Sequence, residues 1–127
     1  MRDLASNLGV SLALSPAVQS ATIKGNAIDL RGSNSAMLVI NTGAIASSGD
    51  FTAKLQESDT TTDGDFTDVP AAKLVGSLPA SLTADSSVKQ GYIGSKRYIR
   101  PVLTKNGGTS IAAGAVVIKG ANVVPVA

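Results

Sequence analysis

The chain has 127 residues, enough for one domain with its own core and too few for two of ordinary size. It has no Cys, His or Trp, and Glu57 is its single glutamate, so disulfides, thiolate or imidazole catalysis and the usual zinc ligand sets are excluded. The formal net charge is only +2, yet residues 50–68 hold six acids against one lysine, and residues 86–127 hold six basic residues and no acid.

The N-terminus carries Arg2 and Asp3 ahead of short apolar runs, and no run approaches 18 apolar residues, so neither a membrane span nor a secretory signal is expected. Residues 1–19 lack charge after Asp3 and are expected to form an extended N-terminal arm and first strand, followed by one β-sandwich domain over 20–127. Val10 to Leu14 reads as that strand, ended by Ser15 and Pro16. Ser20 to Lys24 reads as a second, closed by Gly25-Asn26, with Ala27 to Leu30 pairing back. Ala36 to Asn41 is almost continuously apolar, the pattern of a central strand buried on both faces. After a turn at Ser47 to Asp50, Phe51, Ala53 and Leu55 alternate with Thr52, Lys54 and Gln56, a half-buried strand. Ser58 to Asp68 is a polar turn region from which Phe66 and Val69 return to the core, and Pro70 to Leu82 is a loop with one helical turn. Val88 to Ile93 and Lys96 to Thr104 read as strands flanking a Gly94-Ser95 turn. In the second, Tyr98, Arg100 and Val102 share one face and Ile99, Pro101 and Leu103 the other. Pro101 cannot donate to a ladder, which predicts an edge or a bulge there. Asn106-Gly107-Gly108 predicts a hairpin to a returning strand at Gly114 to Lys119, and Val123 to Ala127 is apolar enough to dock. The sum is an all-β, antiparallel sandwich of jelly-roll-like topology with about eight strands.

Few constellations could carry chemistry. Asp59-Thr60-Thr61-Thr62-Asp63-Gly64-Asp65 opens like a calcium loop, with oxygens at the first, third and fifth positions and Gly at the sixth. Pro70 stands where the closing bidentate Glu belongs, so the segment reads as a turn in which Asp side chains satisfy local backbone groups and Gly64 takes a positive φ. Ser95-Lys96 is sequence-adjacent and points to opposite faces of an extended chain, so it makes no catalytic dyad. Gly91 to Lys96 has phosphate-loop glycines, but a strand follows rather than a helix. Lys96, Arg97 and Arg100 around Tyr98 could hold phosphates or stack on bases. The plainer reading is a strand protected by charge, or arginines paired with aspartates. The opposite charges of the two segments favour pairing within the chain or between copies, and nucleic-acid binding is disfavoured because the cations are dispersed. No catalytic residue, cofactor or metal is assigned.

Five blocks carry a resemblance: Ile28-Asp29-Leu30-Arg31-Gly32; Ala36-Met37-Leu38-Val39-Ile40; Gln56-Glu57-Ser58-Asp59; Phe66-Thr67-Asp68-Val69; and Gly91-Tyr92-Ile93-Gly94-Ser95-Lys96-Arg97-Tyr98-Ile99-Arg100. Over roughly residues 20 to 120 the chain resembles small structural proteins of tailed bacteriophages, with Phe66 where many relatives have Trp. The resemblance implies a virion component, most like a head decoration (capsid cement) protein. Such a protein sits on the outer surface of the phage head and ties neighbouring major capsid proteins together, here as an expected homotrimer. It implies no active residue. Val10, Leu12 and Leu14 of the arm and Lys96, Arg97, Tyr98 and Arg100 are the candidate interaction residues. The alternatives are a tail or head-to-tail connector component, or a surface carbohydrate- or nucleic-acid-binding module. The last requires Tyr92, Lys96, Arg97, Tyr98 and Arg100 exposed together on one face.

Overall fold

The computed structural model of the protein describes residues 8–122 and, within them, all side chains except those of residues 34, 121 and 122. Ten strands form among the described residues. Six are long: β1 (Gly9–Gln19), β4 (Ser33–Ala46), β5 (Asp50–Ser58), β8 (Ser87–Tyr92), β9 (Tyr98–Gly107) and β10 (Ser110–Asn122). Four have two residues each: β2 (Ile23–Lys24), β3 (Ile28–Asp29), β6 (Thr67–Asp68) and β7 (Leu74–Val75). Single 3-10 turns lie at Asp63–Asp65 and Ala71–Lys73, the second being the helical turn expected in the loop after Pro70.

The strands make two antiparallel five-stranded sheets that pack as a sandwich. Sheet A runs β1-β10-β4-β8-β7, and sheet B runs β2-β9-β5-β6 with β3 also on β9. If β2 and β3 count as one broken strand and β7 is set aside, the chain passes between two four-stranded sheets at every step except β5 to β6, which stay together in sheet B. Between them lie Leu38 and Ile40 of β4, Ile111 and Val117 of β10, Phe51 of β5, and Ile99 and Leu103 of β9, all nearly inaccessible. Each such side chain contributes about 1.5–3 kcal/mol by leaving water, so this layer supplies most of the drive to fold. Phe66, Val69 and Leu82 also return inward.

Several expectations need correction. β1 does not end at Pro16: it continues to Gln19 along β10, with register shifts between Leu12 and Leu14 and between Leu14 and Ala17 that absorb the proline. Residues 9–19 are therefore a sheet strand, and the rest of the expected arm, residues 1–7, lies outside the described residues, as do residues 123–127. β3 pairs with β9 rather than turning back on β2. β9 is not an edge strand: Pro101 faces the gap between β2 and β3, where its carbonyl accepts the Gly25 N–H at 2.7 Å and its missing donor costs nothing. Asn106-Gly107-Gly108 makes no two-stranded hairpin, because β9 lies in sheet B and β10 in sheet A. It is a corner between sheets. The Ser47-Ser48-Gly49 corner from β4 to β5 packs directly on it, so that a Cβ at Gly108, whose φ is +71°, would strike the Ser48 carbonyl. Gly64 lies in a 3-10 turn and is not among the glycines of positive φ.

The correction that bears most on function concerns β4. It is central in sheet A, as expected, but it is not buried on both faces. Leu38 and Ile40 are sealed inside, whereas Met37 and Val39 are only half-buried on the outer surface.

Candidate interaction surfaces

The basic block lies where β8 leaves sheet A and β9 enters sheet B. Tyr92 ends β8 with its ring inward, and its hydroxyl donates to Glu57 Oε1 at 2.7 Å while accepting the Lys96 backbone N–H at 3.1 Å. Burial first, and the Glu57 carboxylate second, push the Tyr92 phenol well above its ordinary range. Lys96 then turns to Asp59, Nζ to Oδ2 3.0 Å, and that hydrogen bond raises its pKa. Arg97 grips Asp29 with both prongs, Nε to Oδ1 3.0 Å and Nη2 to Oδ2 2.9 Å, and lies 5.0 Å from the Tyr98 ring centroid. That fork, helped by the Arg31 backbone N–H, holds Asp29 down to about 2.

Arg100 is the exception in depth. Its side chain is 8% exposed and lies 4.1 Å over the Phe66 ring, while Nε donates to Gln56 Oε1 at 2.9 Å and Nη1 to Asp63 Oδ1 at 2.7 Å. Lys24 reaches the same Asp63 at 3.1 Å, and the two cations, Arg100 foremost, lower its pKa. Asp68 is lowered likewise, chiefly by the Gln56 amide and then by Lys54. Asp65 accepts from the Thr60 hydroxyl at 2.7 Å. The four carboxylates of the would-be calcium loop thus serve four separate partner sets, and no cluster of three metal-ligating residues forms among the described residues. Sheet B's side of the molecule is a zwitterionic mosaic of five ion pairs among the described residues, two of which, Asp59 with Lys96 and Asp63 with Arg100, join the acidic segment to the basic one.

A polar cleft of about 290 Å³ opens beside this block, lined by Leu30, Ser33, Tyr92, Gly94, Lys96 and Arg97. Its two cations are already committed to aspartates. Tyr92 and Arg100 are buried, so the five residues that a carbohydrate or nucleic-acid module would expose together do not form one face.

Sheet A's outer surface is the opposite in chemistry. Register pairs place its outward residues in rows across the strands: Val10, Ile118 and Met37; then Leu12, Val116, Val39 and Lys89; then Gly114, Asn41 and Ser87. Val18 and Ala112 form a further row. Lys89 is the only charged residue in these rows. Val10 is 67%, Leu12 48% and Val18 68% exposed, and Val75 of β7, opposite Gly91, extends the surface.

Of the residues singled out from sequence, Val10 and Leu12 therefore lie together on sheet A's outer face. Leu14 does not: past the first register shift it turns inward and is buried, so it is a core residue rather than a contact. Lys96, Arg97 and Arg100 are held in ion pairs of their own chain, and Tyr98 lies against the Arg97 guanidinium. Sequence reasoning missed Met37, Val39, Val116 and Ile118 as surface residues. The continuous apolar runs that contain them were the available signal, since such a run fills both faces of its strand. No known protein family, curated protein or solved structure matches the chain. Among the described residues no helix is long and apolar enough to cross a membrane.

Proposed function

We propose that the chain is a structural component of an assembled particle: a head decoration protein of a tailed bacteriophage that bridges neighbouring major capsid proteins on the outer surface of the virion. One observation carries the reading. The sandwich has a polar face on which acids and bases form ion pairs within the chain and an apolar face with a single lysine in its rows. A protein that works alone in water gains nothing from exposing such a face, whereas a subunit of an assembly buries it. The dispersed small aliphatic side chains suit many weak contacts repeated over a lattice, where avidity replaces single strong anchors. The resemblance of the blocks around Ile28–Gly32 and Gly91–Arg100 to phage structural proteins supplies the particle. The passage of the chain between β1-β10-β4-β8 and β2/β3-β9-β5-β6, interrupted only at β5 to β6, is read as a jelly roll, an architecture common among viral shell proteins.

The direct test is to add purified protein to mature heads that lack it, then count bound copies after sedimentation and locate them by electron microscopy. Copies in the hundreds, spread over the head, are expected. No binding at near-physiological salt would refute the proposal, and a handful of copies at one vertex would move the protein to the head-to-tail connector.

A further inference from the structure

The apolar face of sheet A is not flat, and its relief says what covers it. Along β10 the outward residues run Ala112, Gly114, Val116, Ile118, two small and then two large. Along antiparallel β4 they run Met37, Val39, Asn41, so the large ends of both strands coincide. One end of the face is a ridge of Val10, Ile118 and Met37. The other is a hollow of about 460 Å³ bounded by Leu12, Pro16, Val18, Gly43, Ala112 and Gly114.

We infer that this face pairs with the same face of a second copy, through a twofold axis lying in the interface and crossing the strands between the Val116 and Gly114 rows. The inference deepens the assembly reading and rests on it for the premise that the face is covered. Rotation about such an axis reverses each strand, so the ridge of each copy enters the hollow of the other and β10 lies over β10. A self-complementary patch of this kind is what a closed twofold contact requires. Charge permits it: Lys89 comes to face the Ser87 row of the second copy rather than another lysine, and the rest of these rows are uncharged. Area permits it as well. Four strands about 4.8 Å apart, three of them about 34 Å long and the six-residue β8 about 20 Å, give a footprint of about 590 Å² per copy, so the pair buries about 1,200 Å², at the lower end of specific interfaces. Two sheets stacked in this way repeat the packing that the protein already uses inside its own sandwich. The expected threefold grouping would need other surfaces, and the relief of sheet A points to pairs.

The test is mass in solution, by light scattering on a sizing column across a dilution series of the full chain. The wild type is expected as a dimer. Val10→Lys, at an exposed position on the edge strand, is expected to weaken the dimer more than tenfold without unfolding it. Ala112→Leu is the sharper variant. It adds apolar surface, which on a merely sticky patch would tighten association, but it fills the hollow and is expected to weaken the dimer about tenfold with an unchanged circular dichroism spectrum. A wild type that stays monomeric at high concentration, a trimer, or an Ala112→Leu dimer of undiminished strength would each overturn the inference. Head binding separates the two readings. A monomer that still coats heads sinks the pairing and spares the decoration proposal, whereas a stable dimer that ignores heads does the reverse.

Discussion

Arg100 decides whether the basic block is a binding site or part of the scaffold. Arg100→Met keeps the aliphatic stem and removes the guanidinium. The variant loses the donor to Gln56 at 2.9 Å, the donor to Asp63 at 2.7 Å and the contact 4.1 Å over Phe66. A cation over an aromatic ring is worth about 0.5–2 kcal/mol, and a hydrogen bond from a charged donor about 1.5–3 kcal/mol. Asp63 is 64% exposed and recovers water once freed, so its share shrinks. The net loss is then about 2–3 kcal/mol. For a domain of this size that lowers the melting temperature by about 6–15 °C.

Thermal unfolding followed by circular dichroism at pH 7 measures this, with Arg100→Lys as the companion variant. Lysine keeps the charge but not the fork, and is expected to fall between methionine and wild type. An arginine held ready for an external phosphate behaves in the opposite sense, because removing a functional group from its site commonly leaves stability unchanged or raised. A melting temperature for Arg100→Met within a degree of wild type would therefore refute the scaffold assignment and reopen the block as a ligand site. The acid behaviour supplies an independent check. Arg100 is the foremost cause of the lowered Asp63 pKa, so the methionine variant must lose less of its remaining stability than wild type as pH falls.

Tyr92→Phe removes the donor to the buried Glu57 carboxylate and the acceptor of the Lys96 N–H, and is expected to cost about 1–3 kcal/mol, read as a lower urea midpoint at unchanged slope. In alkaline titration of the wild type, the Tyr92 phenol should ionise above its ordinary range; ionisation near 10 would contradict its burial. Gly108→Ala forces a side chain into a φ of +71° and onto the Ser48 carbonyl, and should cost about 2 kcal/mol or more, whereas Gly64→Ala meets open space and should stay within about 0.5 kcal/mol. Asp29, Asp63 and Asp68 are all more acidic folded than unfolded. The unfolded chain therefore binds more protons, and the stability these groups confer is complete above their ordinary pKa and lost as pH falls from about 4 toward 2. Because these carboxylates are 43–64% exposed, 1 M salt should flatten that acid limb in a melting series, and an acid limb insensitive to salt would show that other groups produce it.

The sandwich was legible because period-two alternation in Phe51–Gln56 and punctuation by Gly, Pro, Asn and Ser are local signals of strands and turns. What stayed hidden was the pairing of strands. Asn106-Gly107-Gly108 has the composition of a hairpin turn, but whether a tight turn joins neighbours or carries the chain between sheets depends on the corner it packs against, here Ser48-Gly49. Pro101 was expected at an edge or a bulge because a proline needs a missing hydrogen-bond partner on one side. The break between β2 and β3 provides that vacancy in the middle of a sheet. Leu14 continues the period-two series of Val10 and Leu12, which places it on their face, and only the register shift after Leu12 turns it inward. The ion pairs follow from nothing local: Asp29 and Arg97 lie 68 residues apart, and Lys24 and Asp63 39 apart. The segregation of acid and base along the chain announced only the pairs that join its two segments, Asp59 with Lys96 and Asp63 with Arg100, without naming them.

The same segregation explains why the two faces differ. With the acids concentrated in 50–68 and the cations in 86–127, the alternation of the chain between sheets brings β5 and its following turns beside β9, both in sheet B. Charge is thereby gathered on one outer surface and neutralised there. Sheet A's outer face is built instead from β1, β10, β4 and β8, whose outward positions are mostly valine, leucine, isoleucine, methionine, alanine and glycine, with Asn41, Ser87 and a single lysine. Sheet A's central strands carry apolar residues on both faces, as strands do when both sides are to be covered, yet one chain can cover only the inner side. The sequence of β4 and β10 is that of a buried sheet in a molecule too small to bury it alone. On the assembly proposed above the missing layer comes from outside the fold, and the ridge and hollow on that surface are the shape it has to match.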